Sequence, residues 1–374
     1  MNLIAVVDLG SSLGKIFYTG ADSTPQPLAL RPEIVSHVSK AQVAAQMSEY
    51  DDPLKSAFVE DSDGILYAVG DFAADLAGRQ FHQLSKWDNL TPRILAIIGL
   101  IHAELSGGLA GGFGREAFPI SIGVMLPRDE INPPNRDERL EVIKRAAKRF
   151  KFRNRTIECD LKLKIATEGS GLFAAHAAYL QSIGQNLGEI DIPVIMGGER
   201  NTSLLVFRAG KLNPTLSSSD GDGFYRFADQ IRKQVGGNIS LEEIIRAIAQ
   251  RRDRIRVTGG GFIDLKPYLP GVMEAYSNSL KSYLRAKLPP GDINVVCGGG
   301  ALSLVWLQVE EWFKEQEIPG VFLGAISDNL RAIFAGRSDL EVLNSVRFAD
   351  ALGLYLAYAQ RTLQQEAAVS GGRW

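Results

Sequence analysis

The sequence predicts an α/β fold made of two modules built on one plan. The chain opens with a buried-strand pattern, a turn of small residues and a second strand, MNLIAVVDLGSSLGKIFYTG. It repeats that plan near residue 190 as DIPVIMGGERNTSLLVFRAGKL. Between and after these hairpins, helical segments alternate with short runs of β-formers, the pattern of packed α/β layers. No linker rich in Pro, Ser or Gly separates the halves. They are therefore expected to pack face to face around a cleft, a standard place for a ligand.

Composition bounds the function. The 374 residues are 45% hydrophobic and 22% charged, with a net charge of -2. Length alone allows two or three domains of about 150 residues. The near-neutral charge argues against a nucleic-acid binder working through bulk electrostatics. The basic run KRAAKRFKFRNR (Lys144 to Arg155) reads as a solvated helix face. Cys159 and Cys297 cannot build a disulfide framework and point to a reducing compartment. Four scattered histidines argue against a His/Cys metal centre. No stretch reaches the ~20 apolar residues that span a bilayer. The opening apolar run meets Asp8 too early, and lacks the basic start, for a signal peptide. A cytoplasmic protein is expected.

The elements follow in order. IAVVDL is a buried strand and KIFYTG returns beside it. AFVE, the DSDG turn and ILYAVG form a β-hairpin. LTPRILAIIGLIHAEL is a buried helix with Pro92 near its start. SGGLAGGFG (Ser106 to Gly114) is a loop; it lacks the strand-then-helix setting of a dinucleotide fingerprint. ISIGVMLP is a strand, DERLEVIKRAAKRF an amphipathic helix, and TIECDLKLKIA alternates as one strand. TEGSGLFAAHAAYLQSIG starts an Ala- and Leu-rich helix. In the second half, SDGDGFYRFADQIRKQV is a turn and helix with Asp222 as N-cap, and SLEEIIRAIAQ is a helix capped by Ser240. VTGGGF is a loop or hinge, GVMEAYSNSLKSYLRAKL is a helix, and DINVVCGGGALSL is strand, glycine cluster, helix. SVRFADALGLYLAYAQRTLQQ closes the chain with Leu352, Tyr355, Leu356, Ala359 and Leu363 on one stripe. Without a basic opposite face, that stripe is expected to dock on the body rather than on a membrane.

The opening hairpin raises the question of phosphate binding. A Walker loop needs Gly, four residues, Gly, Lys and Ser or Thr, then a helix. Here three residues separate Gly10 from Gly14, Ile16 stands where the hydroxyl belongs, and IFYT are β-formers. The Walker reading fails. As a hairpin, Gly10, Ser11 and Ser12 let backbone N–H groups approach phosphate oxygens, and Lys15 points a cation at the β-phosphate. Asp8 is placed to hold a hydrated magnesium, which prefers to keep its waters. A plain β-hairpin with a strand-end Asp fits this segment equally well.

Four segments in order resemble the actin/Hsp70/sugar-kinase superfamily, and within it the bacterial actin-like plasmid-segregation proteins of the ParM/StbA-like group. VVDLGSSLGKIFY resembles the phosphate-1 motif through Asp8, Gly10, Ser11 and Lys15. IATEGSGLFAA is similar to the first connecting helix, and Glu168 matches the residue that orients the attacking water. PVIMGGERNTSLLVF falls at phosphate 2. INVVCGGGALSL resembles the adenosine motif, with Gly298, Gly299 and Gly300 letting adenine and ribose lie against backbone. The resemblance covers most of the chain. It implies an actin-like (ribonuclease H-like) fold, with duplicated domains around a nucleotide cleft. The first module would be residues 1–185, with a small subdomain at about 25–90 and completion by the C-terminal helix 345–374. The second would be 186–344, with a small subdomain at about 212–275. One departure stands out. Phosphate 2 normally reads D-x-G-x-x-T, and Met196 occupies the Asp position. Gly197, Gly198, Asn201 and Thr202 remain to cradle phosphate. Glu199 and Asp191 are carboxylates near that motif but off the expected place.

On its own residues Glu168 also reads as an acid in a first helical turn, favoured by the dipole, and Gly298–Gly300 as a turn needing positive φ, although three consecutive glycines after INVV favour close ligand approach. Lys233 and Arg226 could reach the adenine or ribose but read first as solvated helix charges. The resemblance implies ATP or GTP with Mg2+, a head-to-tail filament of this chain, weak hydrolysis, and plasmid or DNA segregation through a DNA-bound adaptor protein. It implies no direct nucleic-acid contact and no membrane. The alternatives are a non-hydrolysing actin-like scaffold, supported by Met196, and a small-molecule kinase on the same superfold. The neutral-to-acidic tail TLQQEAAVSGGRW disfavours a membrane-tethered homologue of divisome type.

Overall fold

The protein is described from a computed structural model covering residues 3–20, 22–76, 85–106, 117–236, 239–256, 260–337 and 345–371, with side chains of the last segment described through residue 362. Most of the expected loop from Ser106 to Gly114, part of VTGGGF and the Leu363 side chain lie outside the described residues.

Contacts divide the chain into two compact units. Unit 1 holds Met1–Thr167 and Tyr358–Trp374; unit 2 holds Glu168–Ala357. The main sheet of unit 1 is built on β1 (Leu3–Leu9), whose seven residues are all buried. Such an unbroken apolar run reads as a central strand covered on both faces. β2 (Gly14–Thr19) pairs with it antiparallel, Val7 opposite Ile16 and Asp8 opposite Lys15. β3 (Pro25–Leu30) adds antiparallel beyond β2. On the other side β7 (Phe118–Leu126) and β10 (Cys159–Thr167) add in parallel.

Unit 2 repeats this plan. β11 (Asp191–Gly197) pairs antiparallel with β12 (Asn201–Arg208), and the short β13 (Lys211–Leu212) and β14 (Ser218–Asp222) lie beyond it. On the other side β17 (Val295–Gly298) and β18 (Gly320–Phe322) add in parallel. Each main sheet thus has a central strand, antiparallel partners on one side and parallel strands on the other.

Unit 1 carries a second, small sheet. It orders β4 (Ile34–Ser36), β6 (Leu66–Val69), β5 (Phe58–Glu60), β8 (Phe150–Phe152) and β9 (Arg155–Ile157). The expected 58–69 hairpin forms, and Asp61 Oδ1 accepts from the N–H groups of Asp63 and Ile65 in its turn. Two expectations need correction. TIECDLKLKIA is two strands in different sheets. Arg153 and Asn154, at φ +47° and +64°, fold β9 back on β8 as a two-residue hairpin. The chain then passes Glu158 into β10 of the main sheet. The small sheet therefore draws on residues 150–157 as well as on the expected span, whereas β3, from Pro25, belongs to the main sheet. The basic run is also not uniformly solvated. Arg145, Lys148 and Arg149 are exposed, but Arg153 is only 3% exposed and donates to the carbonyls of Asp51 and Tyr50.

The helices are α1 (Lys40–Glu49), α2 (Asp71–Asp75), α3 (Leu90–Leu105), α4 (Arg136–Lys148), α5 (Ser170–Ser182), α6 (Phe224–Val235), α7 (Leu241–Ala249), α8 (Leu269–Lys287), α9 (Trp306–Glu315), α10 (Ile326–Phe334) and a closing helix, Ala349–Gly371. In unit 2, β15 (Arg254–Arg256) and β16 (Phe262–Asp264) form a separate hairpin. Ser240 caps α7 as expected, its hydroxyl accepting from the Glu243 N–H. The closing helix is buried more fully than its stripe suggested: Ala351, Leu352, Gly353, Leu354 and Tyr355 are all buried.

The division at Thr167/Glu168 puts α5 in unit 2, earlier than the expected boundary at residue 185. The reason is local. α5 packs on β11 and β17, and its N-terminus is held by Asp350. That carboxylate, 2% exposed, accepts N–H bonds from Gly169 at 2.5 Å, Gly171 at 2.8 Å and Leu172 at 3.0 Å. It satisfies donors that a helix start leaves unpaired and complements the dipole. The two backbones touch there. A Cβ on Gly171 would lie 1.8 Å from the Asp350 carbonyl oxygen, and one on Gly353 would lie 2.3 Å from the Gly171 oxygen.

Two outcomes follow. Gly171→Ala should lower stability by about 2 kcal/mol or more, because backbone rather than a flexible side chain blocks the new methyl; urea unfolding reads this. His176, buried on α5 against Asn294 Oδ1 at 2.8 Å, has its pKa lowered from 6.5 by burial. The unfolded chain takes up that proton more readily than the folded one. The residue's contribution is therefore complete above pH 6.5 and is lost as pH falls below it. His176→Gln should flatten the change in urea midpoint between pH 7.5 and 5.5; an unchanged slope would show that His176 does not carry it.

Candidate functional site

In unit 1 the sequence-expected residues gather on the β1–β2 hairpin. The Gly10 N–H donates to the Asp8 carbonyl at 3.0 Å, closing a tight turn that carries Ser11 and Ser12. A Cβ on Gly10 would lie 2.6 Å from the Leu13 carbonyl oxygen and 2.9 Å from Lys15 Nζ, so the turn and the ammonium need glycine there. The strand register sets Lys15 opposite Asp8, and Lys15 Nζ meets Asp8 Oδ2 at 2.5 Å.

A second lysine faces the same carboxylate. Lys86 Nζ lies 3.8 Å from Asp8 Oδ1, and its side chain is 11% exposed. Sequence reading missed it. It sits on a short 3-10 turn, Lys86–Asn89, held by Glu130. The Glu130 Oε2 accepts from the Ser85 hydroxyl at 2.8 Å and the Lys86 N–H at 2.7 Å, and the Trp87 indole donates to the Glu130 carbonyl at 2.5 Å. The only local signal was a Ser before the turn; nothing in SKWDN marks a lysine aimed at a distant Asp.

In unit 2 the β11–β12 hairpin occupies the equivalent place. Met196 is the penultimate residue of β11, as Asp8 is of β1, and it lies opposite Ser203 as Asp8 lies opposite Lys15. The carboxylate–ammonium pair of unit 1 thus has a thioether–hydroxyl pair as its counterpart. The Gly198 N–H donates to the Asn201 carbonyl at 3.0 Å. Asn201 Nδ2 donates to Ser203 Oγ and the Ser219 carbonyl. Thr202 is turned inward, 1% exposed, its hydroxyl donating to the Asp222 carbonyl at 2.8 Å, so only its backbone is left for an anion. Ser203 also donates to Glu168 Oε1 at 2.5 Å, which anchors the proposed water-orienting carboxylate to this hairpin.

Several charged residues have structural partners. Asp222 is not the cap of α6; Gly223 is, because the backbone crowds there and a Cβ would lie 2.2 Å from the Arg200 carbonyl carbon. Asp222 ends β14 instead, bonding Arg226 at 2.7 Å and the Ser279 hydroxyl at 3.0 Å. The first N–H groups of α6 donate to the carbonyls of Gly198 and Glu199. Lys233 pairs with Asp229 on the same helix. Asp191 is bound by Arg208 at the opposite end of β11 from Met196, so it does not stand in for the missing carboxylate.

The triple glycine joins the same hairpin. Met196 pairs with Gly298 in the β11–β17 register, and the Ala301 N–H donates to the Gly197 carbonyl. Gly299 has φ +99°, and its Cβ would meet the Gly197 oxygen at 2.3 Å; Gly298 is crowded by Leu172 at 2.3 Å. Packing against backbone requires glycine at 299, whereas at 298 the obstacle is a Leu172 side-chain methyl. Gly300 faces the Arg347 side chain.

Among the described residues no group of three or more His, Cys, Asp or Glu could hold a metal ion, and no helix is long and apolar enough to cross a membrane. Magnesium was expected at Asp8 through water. In this structure Asp8 is approached by two ammonium groups, Lys15 Nζ at Oδ2 and Lys86 Nζ at Oδ1.

This geometry defines a duplicated α/β protein with a glycine-turned hairpin at the end of each central strand. No protein-family model matches the chain, and no curated protein does. Solved structures do. A 15-stranded ParM filament from Clostridium botulinum is similar at 15% identity and TM-score 0.64, over 96% of this chain and 100% of that one. An archaeal actin homolog in complex with ADP is similar at 16% identity and TM-score 0.58, over 96% and 99%. Bacillus thuringiensis ParM with ATP is similar at 13% identity and TM-score 0.59, over 97% and 99%. The chain has the actin-like fold.

Proposed function

We propose that this chain binds a nucleoside triphosphate and polymerises head to tail into filaments. The observation that carries the reading is the repeated hairpin: the same five-position sheet plan ends twice in a turn of bare backbone, once beside Asp8 and Lys15 and once beside Glu168. Solved relatives of this fold include a filament and complexes with ADP and with ATP.

In this reading the turn of Gly10, Ser11 and Ser12, with the Ser11 and Ser12 N–H groups and Lys15, is the phosphate-binding element of unit 1. Gly197, Gly198 and the backbone at Asn201 and Thr202 are the matching phosphate-binding element of unit 2. Gly298, Gly299 and Gly300 pass close to the adenosine or guanosine. Glu168 orients the attacking water, and Ser203 positions Glu168. The ligand is ATP or GTP with Mg2+ in solution. Hydrolysis is slow, because Met196 supplies no carboxylate where the family pattern has one. Head-to-tail contacts are heterologous and propagate without closing. Segregation of plasmid or other DNA through a DNA-bound adaptor, in the cytoplasm, is the use this assembly serves, with no direct nucleic-acid or membrane contact. A non-hydrolysing scaffold is the second reading, and Met196 is the observation that favours it. A small-molecule kinase has less support, since it needs a base in the second module and Met196 stands in the obvious position.

Sedimentation and negative-stain microscopy with ATP, GTP and ADP test the assembly; no polymer with any nucleotide would remove the filament reading. Met196→Asp separates the two catalytic readings. It should raise magnesium-supported turnover by about tenfold or more, read by phosphate release. Unchanged background turnover in both proteins would leave the scaffold.

A further inference from the structure

We infer that copies of this chain contact one another through opposite charges: the arginine face of the β15–β16 hairpin in unit 2 docks on the carboxylate cluster that unit 1 of a second copy carries around β5. This rests on the filament reading above and adds to it the two surfaces and the force between them.

The hairpin carries the first half. Its register sets Arg254 opposite Asp264, Ile255 opposite Ile263 and Arg256 opposite Phe262. Ile255 is buried, while Arg254, Arg256, Phe262 and Asp264 are exposed, so one face of the hairpin is covered and the other is open. Arg251 and Arg252, in the turn that leads from α7, are exposed as well. Residues 246–266 hold six cationic side chains and two carboxylates, a net charge of +4 in a chain of net charge -2. Both carboxylates have work nearby. Asp253 takes Lys266 Nζ at 3.3 Å, and Asp264 Oδ1 accepts from the Lys266 N–H at 3.0 Å. Among the described residues Arg251, Arg252, Arg254 and Arg256 make no ion pair. Arg254 and Arg256 stand about 7 Å apart along one strand, where like charges repel. Phe262 beside them is 69% exposed. Arginine and phenylalanine are residue types that protein interfaces favour.

Unit 1 carries the complement. Residues 49–63 hold six carboxylates and one lysine, a net charge of -5. Glu60 pairs with Lys151 at 2.8 Å. Asp52 and Asp61 accept N–H bonds within their own turns, which leaves their charge in place. Arg153, buried beside Asp51 and Asp52, offsets part of it, but its guanidinium donates to the carbonyls of Asp51 and Tyr50. Lys55 lies over the Tyr50 ring. Among the described residues Glu49, Asp51, Asp52, Asp61 and Asp63 make no ion pair, and all but Asp61 are exposed. Four arginines of one copy thus meet four exposed carboxylates of the next. A nucleic acid or an anionic membrane would engage the hairpin but leave the unit 1 carboxylates without a counterpart. Contact between unlike patches is heterologous, so it propagates along a filament.

Sedimentation of the full chain with its polymerising nucleotide tests this. Raising KCl from about 50 to about 300 mM should raise the critical concentration about fivefold or more, because screening shortens the reach of exposed charges. Arg254→Glu with Arg256→Glu, and separately Asp51→Lys with Asp52→Lys, should each raise it about tenfold or more, with nucleotide binding within about twofold of wild type. Each variant alone carries two patches of one sign. Mixed in equal amounts, the two should pellet together, since each then supplies what the other lacks. Wild-type polymer that neither reversal weakens overturns the inference and leaves the filament reading standing. Reversals that block polymer but do not rescue each other overturn the pairing of these two surfaces. Hairpin-dependent capture of a thymidine oligonucleotide or of phosphatidylserine vesicles, with polymer unaffected, assigns the arginines elsewhere and overturns it too. No wild-type polymer with any nucleotide overturns both readings. If the reversals do not fold, Arg254→Gln with Arg256→Gln and Asp51→Asn with Asp52→Asn decide: unchanged critical concentrations overturn the inference.

Discussion

A buried central strand that must end in a turn too tight for side chains organises both units. In unit 1 all seven residues of β1 are withdrawn from water, and the chain reverses at once, with Gly10 bonded back to Asp8. In unit 2 β11 reverses over Gly197 and Gly198, and Gly299 is pressed on the same carbonyl that binds the Ala301 N–H. Each turn sets small residues at the end of a buried strand, and in each the turn glycine N–H closes the reversal on a nearby carbonyl.

The side chains around the two turns then divide the labour unequally. The first hairpin places a carboxylate across from an ammonium and adds a second ammonium from a separate turn. The second has methionine and serine at the matching positions, with its acid, Glu168, arriving from the start of α5. The duplicated backbone is thus symmetric while its charge is not. Two ammonium groups face the carboxylate of the first hairpin, and beside the second a hydroxyl, Ser203, bonds Glu168.

The α5 start shows how a single buried carboxylate can set a unit boundary. Asp350 reaches from the closing helix to three N–H groups of α5, and Gly171 and Gly353 let the two backbones touch. Once these groups are paired, moving α5 would strand a charge and three donors in the interior. α5 accordingly belongs with β11 and β17 rather than with the β10 strand that precedes it. Glu168, at that junction, adjoins the helix start that Asp350 holds.

Much of this was legible in one dimension. Hydrophobic runs identified the central strands, small residues after them identified the turns, and the recurrence of that plan identified the duplication. Local patterns express local physics: burial of continuous apolar runs, backbone freedom at glycine, capping by Ser240. Other features depend on partners remote in sequence. Lys86 finds Asp8 through the Glu130 anchor, Arg153 is buried by carbonyls a hundred residues earlier, and Asp222 bonds the Ser279 hydroxyl instead of capping α6. The sequence by itself determined the strands, the turns and the doubled plan, since those follow from side-chain polarity and backbone sterics along the chain. Only the tertiary structure decided which charges meet, because electrostatic pairing depends on distance through space.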